Sequence, residues 1–106
     1  MDLSFYAGDS RNLIINVTDE NNAPIDLTNA NVKWILTSQG NTILSKSIGS
    51  GITINNPKQG QFTIYLKAND TKNLSGNYEQ AARVTTSSGE SSIVLAGTVT
   101  ISDSLL

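Results

Sequence analysis

The chain reads as an all-β protein, an antiparallel two-sheet β-sandwich of about seven strands. Three observations predict it. Apolar and polar residues alternate with a period of two over Arg11–Thr18, Asn31–Ser38 and Phe62–Lys67. Clusters of Gly, Pro, Asn, Asp and Ser separate the apolar segments at short intervals. No helical period is present, so the crossover helices of a parallel α/β fold are missing. A closed small barrel is the alternative.

Leu3–Ala7 is expected as a short first strand, broken by Gly8-Asp9. In Arg11–Thr18 the residues Leu13, Ile15 and Val17 share one face, Asn12, Asn16 and Thr18 the other, and Ile14 is the misfit. Asp19-Glu20-Asn21-Asn22-Ala23-Pro24 ends the strand, because Pro24 cannot donate to a ladder. Ile25-Asp26-Leu27-Thr28 then crosses over the core with Leu27 as its cap. Val32, Trp34 and Leu36 form the inner row of the next strand, and Trp34 should be the largest single core residue.

Gln39-Gly40-Asn41-Thr42 is a hairpin turn into Ile43–Ile48, which Gly49-Ser50-Gly51 ends; Ile52–Ile54 is a brief extended piece. After the turn at 55–60, Phe62, Ile64 and Leu66 face inward while Thr63, Tyr65 and Lys67 face outward. In Tyr78–Thr86 the inner set is Tyr78, Ala82 and Val84. Ser87-Ser88-Gly89-Glu90 closes a hairpin onto Ser91–Ile101, with Ile93, Leu95, Gly97, Val99 and Ile101 expected inside. Gly97 stands where a large residue would be expected, which suggests a slot for a bulky neighbour such as Trp34. Trp34, Phe62, Ile64 and Leu95 are thus the candidate core.

Between these last two hairpins lies the run Asp70-Thr71-Lys72-Asn73-Leu74-Ser75-Gly76-Asn77-Tyr78, which has the residues of a hydrogen-bonded corner. Gly76 can supply a positive φ, and Tyr78 can lay its ring on the core while its hydroxyl returns to the backbone upstream. Asp70, Leu74, Gly76 and Tyr78 are therefore expected to be structural.

At 106 residues the chain is expected to be one domain, residues 1–106, burying roughly two thirds of its unfolded surface. With no cysteine, neither disulfides nor thiolate metal sites can support it. With no histidine, the commonest general base and transition-metal ligand are missing too. A net charge of −2, with the basic residues scattered, gives no long-range attraction for nucleic acid or anionic lipid. Met1-Asp2-Leu3-Ser4 lacks a basic n-region and an apolar h-region, so synthesis in the cytoplasm without a signal peptide is expected.

Nine acids leave carboxylate pairs as the main enzymatic option. Yet Asp9, Asp19, Glu20, Asp26, Asp70, Glu90 and Asp103 fall in turns or strand ends, where Asp ordinarily caps backbone groups. An enzyme is therefore not expected, and neither is a cofactor. The 19–24 run has the clustered oxygens that Ca²⁺ needs and is similar over those few residues to a cadherin linker; an ordinary turn is the simpler reading. Tyr65 is the one aromatic placed outward, a thin basis for a sugar platform. The sequons at Asn16, Asn69 and Asn73 are what a chain rich in Asn, Ser and Thr yields by chance.

Taken together, Phe5-Tyr6-Ala7-Gly8-Asp9-Ser10-Arg11, Ile25-Asp26-Leu27-Thr28, Val32-Lys33-Trp34, the corner residues Asp70, Thr71, Leu74, Gly76 and Tyr78, and Gly97-Thr98-Val99-Thr100-Ile101 resemble the immunoglobulin-like N-terminal domain of phage baseplate upper proteins. The likeness spans most of the chain and rests on the order and spacing of the motifs. It implies an immunoglobulin-like fold and a virion structural role in assembly and attachment, with other virion proteins as partners and a homo-oligomer or ring as the assembly. That family often places the domain before a fibre. Here the sequence ends at Leu106 without one, which leaves a decoration, collar, connector or tail component equally open. A bacterial surface or adhesion module of immunoglobulin type, binding calcium or glycan, is the alternative. Without catalytic groups such a domain must act through its surface. The expected surfaces are an exposed strand edge, Leu3–Ala7 or Ile43–Ile48, and the terminal segment 102–106 with Leu105 and Leu106.

Overall fold

The computed structural model describes residues 1–105 and is all-β apart from two single turns of helix. Its strands are β1 (Leu3–Tyr6), β2 (Arg11–Asn16), β3 (Asn31–Ser38), β4 (Asn41–Ile48), β5 (Gly51–Asn56), β6 (Gln61–Leu66), β7 (Gly76–Thr85) and β8 (Ser91–Ser102). A 3₁₀ turn, Pro57–Gln59, precedes β6, and the four-residue helix α1, Ala68–Thr71, precedes β7.

The expectation of two separate sheets with about seven strands is not confirmed. Eight strands form one hydrogen-bonded sheet in the order β1-β8-β7-β3-β4-β5-β6-β2, curled into a half-barrel. The link between β4 and β5 is the shortest in the sheet, two parallel pairs, Ser47 with Gly51 and Ile48 with Ile52. Gly49 and Gly51 take positive φ in that tight connection, a conformation that costs a side-chain-bearing residue but not glycine. Antiparallel pairing joins every other neighbouring pair except β1 and β8, which run parallel.

Both arms of the curled sheet face one core. Val32, Trp34 and Leu36 of β3 meet Phe62, Ile64 and Leu66 of β6, with Leu95, Val99 and Ile101 of β8 and the crossing residue Leu27 in the same cluster. Trp34, Phe62, Ile64 and Leu95 are all buried in it. At about 1.5–3 kcal/mol per fully buried large apolar side chain, this cluster is the main favourable contribution to folding.

Two inward assignments on β8 need correction. Ile93 is half exposed, because a bulge between Ala82 and Arg83 of the β7 ladder leaves Val94 unmatched and reverses the alternation beyond it. Gly97 is not a slot for Trp34. A Cβ at Gly97 would collide with the Met1 carbonyl, so the glycine lets the N-terminal backbone lie against β8. On β6, Thr63 is buried although its phase points outward. No helix among the described residues is long and apolar enough to cross a membrane.

Candidate interaction surface

The corner between β6 and β7 is held by four sets of contacts. Asp70 Oδ2 accepts a hydrogen bond from the Lys67 backbone N–H at 2.7 Å, tying down the start of α1. The same oxygen accepts from Lys46 Nζ at 2.7 Å. Thr71 is fully buried, and its Oγ1 accepts from the Gly8 N–H at 3.1 Å, joining α1 to the turn after β1. Tyr78 donates its hydroxyl to the Ser75 carbonyl at 3.0 Å and accepts from the Ser75 N–H at 3.2 Å. Between them Leu74 packs half-buried on the core, and Gly76 opens β7 with φ of 107°. Asp70, Leu74, Gly76 and Tyr78 thus lie together in one corner.

Burial of Asp70 works to raise its pKa. The Lys46 hydrogen bond, the Lys67 N–H and the charges of both lysines outweigh that and hold the carboxyl below its ordinary value. Lys46 was not singled out from the sequence, since its acceptor lies 24 residues away. It sits opposite Trp34 in the ladder, on the inner face of β4, where a lysine needs an anion to reach. Its alkyl chain runs over Gly51, where a Cβ would strike it.

A second polar unit joins the core to the N-terminus. Trp34 Nε1 donates to Gln80 Oε1 at 3.0 Å, and Gln80 Nε2 donates to the Met1 carbonyl at 2.8 Å. The Met1 nitrogen in turn donates to the Ala96 carbonyl at 2.7 Å, and Asp2 Oδ1 accepts from the Thr98 N–H at 2.9 Å. Gln80 is buried at the inner position that interrupts the Tyr78, Ala82, Val84 series. The buried indole N–H required such an acceptor.

Two further acids, Asp19 and Asp26, close turns. Asp19 Oδ1 accepts from the Asn21 and Ala23 N–H groups at 2.8 and 3.0 Å, so this oxygen is spent within the 19–24 turn. Asp26 Oδ1 accepts from the Thr28 hydroxyl at 2.6 Å and its N–H at 2.9 Å, and the hydroxyl bond above all holds this carboxyl below the ordinary range. Asp9 pairs with Arg11 at 3.4 Å on the surface, and that guanidinium lies 5.8 Å from the Phe5 ring centre. Among the described residues no three acids gather in a way that could hold a metal ion.

What remains for recognition is the surface and the strand edges. β1 and β2 are the two edges of the sheet. β4 lies within it, yet its first part, Asn41–Ser45, pairs only with β3. Leu105 is 86% exposed and, with Tyr6, Asp9 and Ser104, lines an open depression beside β1. Leu106 lies outside the described residues. The two expected surfaces, the β1 edge and the C-terminal segment, therefore adjoin each other, because Tyr6 pairs with Ser102 and the Ala7 N–H donates to the Ser102 carbonyl.

No curated protein matches the chain. The family model of the BppU N-terminal domain matches residues 2–105, nearly the whole sequence. The chain belongs to that family, the N-terminal domains of phage baseplate upper proteins.

Proposed function

We propose that the chain is a non-enzymatic assembly and attachment module of a phage virion, folding as a single domain over residues 1–106. In this role it docks on other virion proteins and builds a homo-oligomer or ring. Membership of a phage baseplate structural family supports the setting. The observation that carries the docking role is the depression at the end of β1, where Tyr6 is 53% exposed and Leu105 stands in solvent beside it. Large apolar side chains grouped next to an open strand edge are what a protein partner covers. The carboxylates support the same reading, since Asp19, Asp26 and Asp70 are engaged in holding backbone turns.

Particle assembly tests this directly. Deleting Asp103–Leu106, or replacing Tyr6→Ser, should abolish incorporation of the chain into virions while the melting temperature stays within a few degrees. Full incorporation of both variants would refute docking through this surface.

A further inference from the structure

The second sheet edge, β2, has a different character from β1. The ladder that places Asn16 opposite Gln61 continues to Val17, whose N–H donates to the Gly60 carbonyl at 2.8 Å. Residues that exchange bonds with the neighbour alternate along an antiparallel ladder, so Leu13 and Ile15 direct their N–H and C=O groups at β6. Asn12, Ile14 and Asn16 direct theirs away from it. Among the described residues, nothing outside the ladder bonds to those groups.

Natural edges are blunted by shortness, Pro, Lys or a bulge. β1 follows this rule: it is four residues long, and the Asp9 N–H takes the Tyr6 carbonyl. β2 does not. It is six residues long, Arg-Asn-Leu-Ile-Ile-Asn, pairs with β6 without a register shift, and shows Ile14 58% exposed.

We infer that β2 is a self-association edge, which pairs antiparallel with β2 of a second copy across a two-fold axis at Ile14. Two features of the strand select this occupant. In that register Ile14 faces Ile14 of the other copy and Asn12 faces Asn16, so the one exposed apolar residue meets itself and amide meets amide. Each facing pair exchanges its two outward backbone hydrogen bonds.

The second feature is an amide row on the outer face. Asn55 Nδ2 donates to Gln61 Oε1 at 3.0 Å, and Gln61 Nε2 donates to Asn16 Oδ1 at 3.2 Å. The row ends at the open edge with Asn16, whose Nδ2 has no acceptor among the described residues. Asn12 of the second copy stands where the next acceptor of the row belongs. The resulting isologous dimer leaves the Tyr6 and Leu105 surface on β1, at the other end of the strand order.

Sedimentation of the purified chain over a range of concentrations should show the mass rising from monomer to dimer. Amide exchange should show Asn12, Ile14 and Asn16 protected only in the dimer, while Leu13 and Ile15 are protected throughout. Ile14→Lys, which sets like charges against each other at the axis, should weaken dimerisation at least about tenfold. Ile14→Pro removes an outward N–H that β6 does not use and should do the same. The sequence contains no cysteine, so Ile14→Cys joined by a short bis-maleimide, which each thiol attacks to form a thioether, gives a reading that does not depend on either variant folding; it should cross-link, and Ile93→Cys on the other arm should not. A chain that stays monomeric at millimolar concentration overturns the inference. So does a dimer that survives both Ile14 variants, or protection of the three amides at every dilution, which would mean that another segment already covers the edge. Virion incorporation reads the β1 surface separately, so either proposal can fail alone.

Discussion

Lys46 on β4 and Asp70 on α1 form an ion pair at 2.7 Å with side chains only 10% and 18% exposed, and through it the β4–β5 bend is fastened to the corner that starts β7. A pair this well shielded behaves differently from a surface salt bridge. Its partners have lost most of their water, so removing one strands the other. Asp70→Ala should cost about 2 kcal/mol, because both the lysine and the Lys67 N–H lose their acceptor. Lys46→Met should cost less, since the alkyl packing over Gly51 remains and Asp70 keeps the Lys67 N–H. Urea denaturation of the two variants checks the order.

The same carboxylate sets an acid limit. Its folded pKa lies below the ordinary 3.8, so the unfolded chain binds its proton first as pH falls. The stability it contributes is complete above 3.8 and is lost as pH drops through the lowered folded value. The wild type should therefore be more stable than Asp70→Asn at neutral pH, and the gap should close below about pH 3.8. A gap that stayed constant down to pH 2 would assign the stabilisation to shape rather than charge.

Period-two alternation made β2 and β3 legible because each shows one face to a single core and the other largely to water, and β6 was legible from its inner row Phe62, Ile64 and Leu66 although Thr63 on its other face is also buried. Where that condition failed, so did the reading. The bulge at Val94 turned Ile93 outward, and a bulge depends on the partner strand. Helix α1 has four residues, too few to display a helical period. The number of sheets was not legible at all, since two ladder pairs between β4 and β5 decide whether the hydrogen bonding is continuous. Within the corner, Gly76 and Tyr78 could be read locally because Tyr78 bonds only three residues back. Lys46 could not, because its partner is 24 residues away.

Tyr78→Phe should cost on the order of 1 kcal/mol, the net value of the hydroxyl bond to the Ser75 carbonyl. The ring stays buried, so packing is preserved. At Gly76 a Cβ would meet nothing within 4 Å, and Gly76→Ala is penalised only through its φ of 107°, by about 1–2 kcal/mol. Partner binding should survive both changes when measured below the melting temperature. Loss of assembly by Tyr78→Phe at unchanged melting temperature would instead place the corner in an interface.

Gln80→Leu tests the buried polar unit. The substitution fits the inner face of β7 but leaves the Trp34 N–H without an acceptor and the Met1 carbonyl without a donor. The expected loss is about 1–3 kcal/mol, in spite of the added apolar surface. Gln80→Glu keeps the acceptor for Trp34 but places a charge against the Met1 carbonyl, and it should recover stability as the pH is lowered and the carboxyl gains a proton. Equal stability of Gln80→Leu and wild type would mean that the indole N–H finds another partner.

Gly97→Ala separates the N-terminal contact from the rest of the fold. The backbone at Gly97 is in ordinary extended geometry, so alanine meets no conformational barrier there, and strand propensity is not reduced. Its methyl group would occupy the space of the Met1 carbonyl. The strain should be relieved by lifting Met1 and Asp2 off β8, because two terminal residues move more readily than a ladder strand. The Gln80 to Met1 and Thr98 to Asp2 hydrogen bonds would then be lost together. The Thr98 amide should exchange far faster than in wild type, while the amide of Val99, within the same strand, should change little. Global stability should fall by only about 1–2 kcal/mol, since these contacts lie outside the core. If Gly97→Ala instead lowered the melting temperature as much as the removal of a core side chain, with Thr98 and Val99 exposed equally, the N-terminal segment would be an integral part of the β7–β8 ladder rather than a strap laid over it.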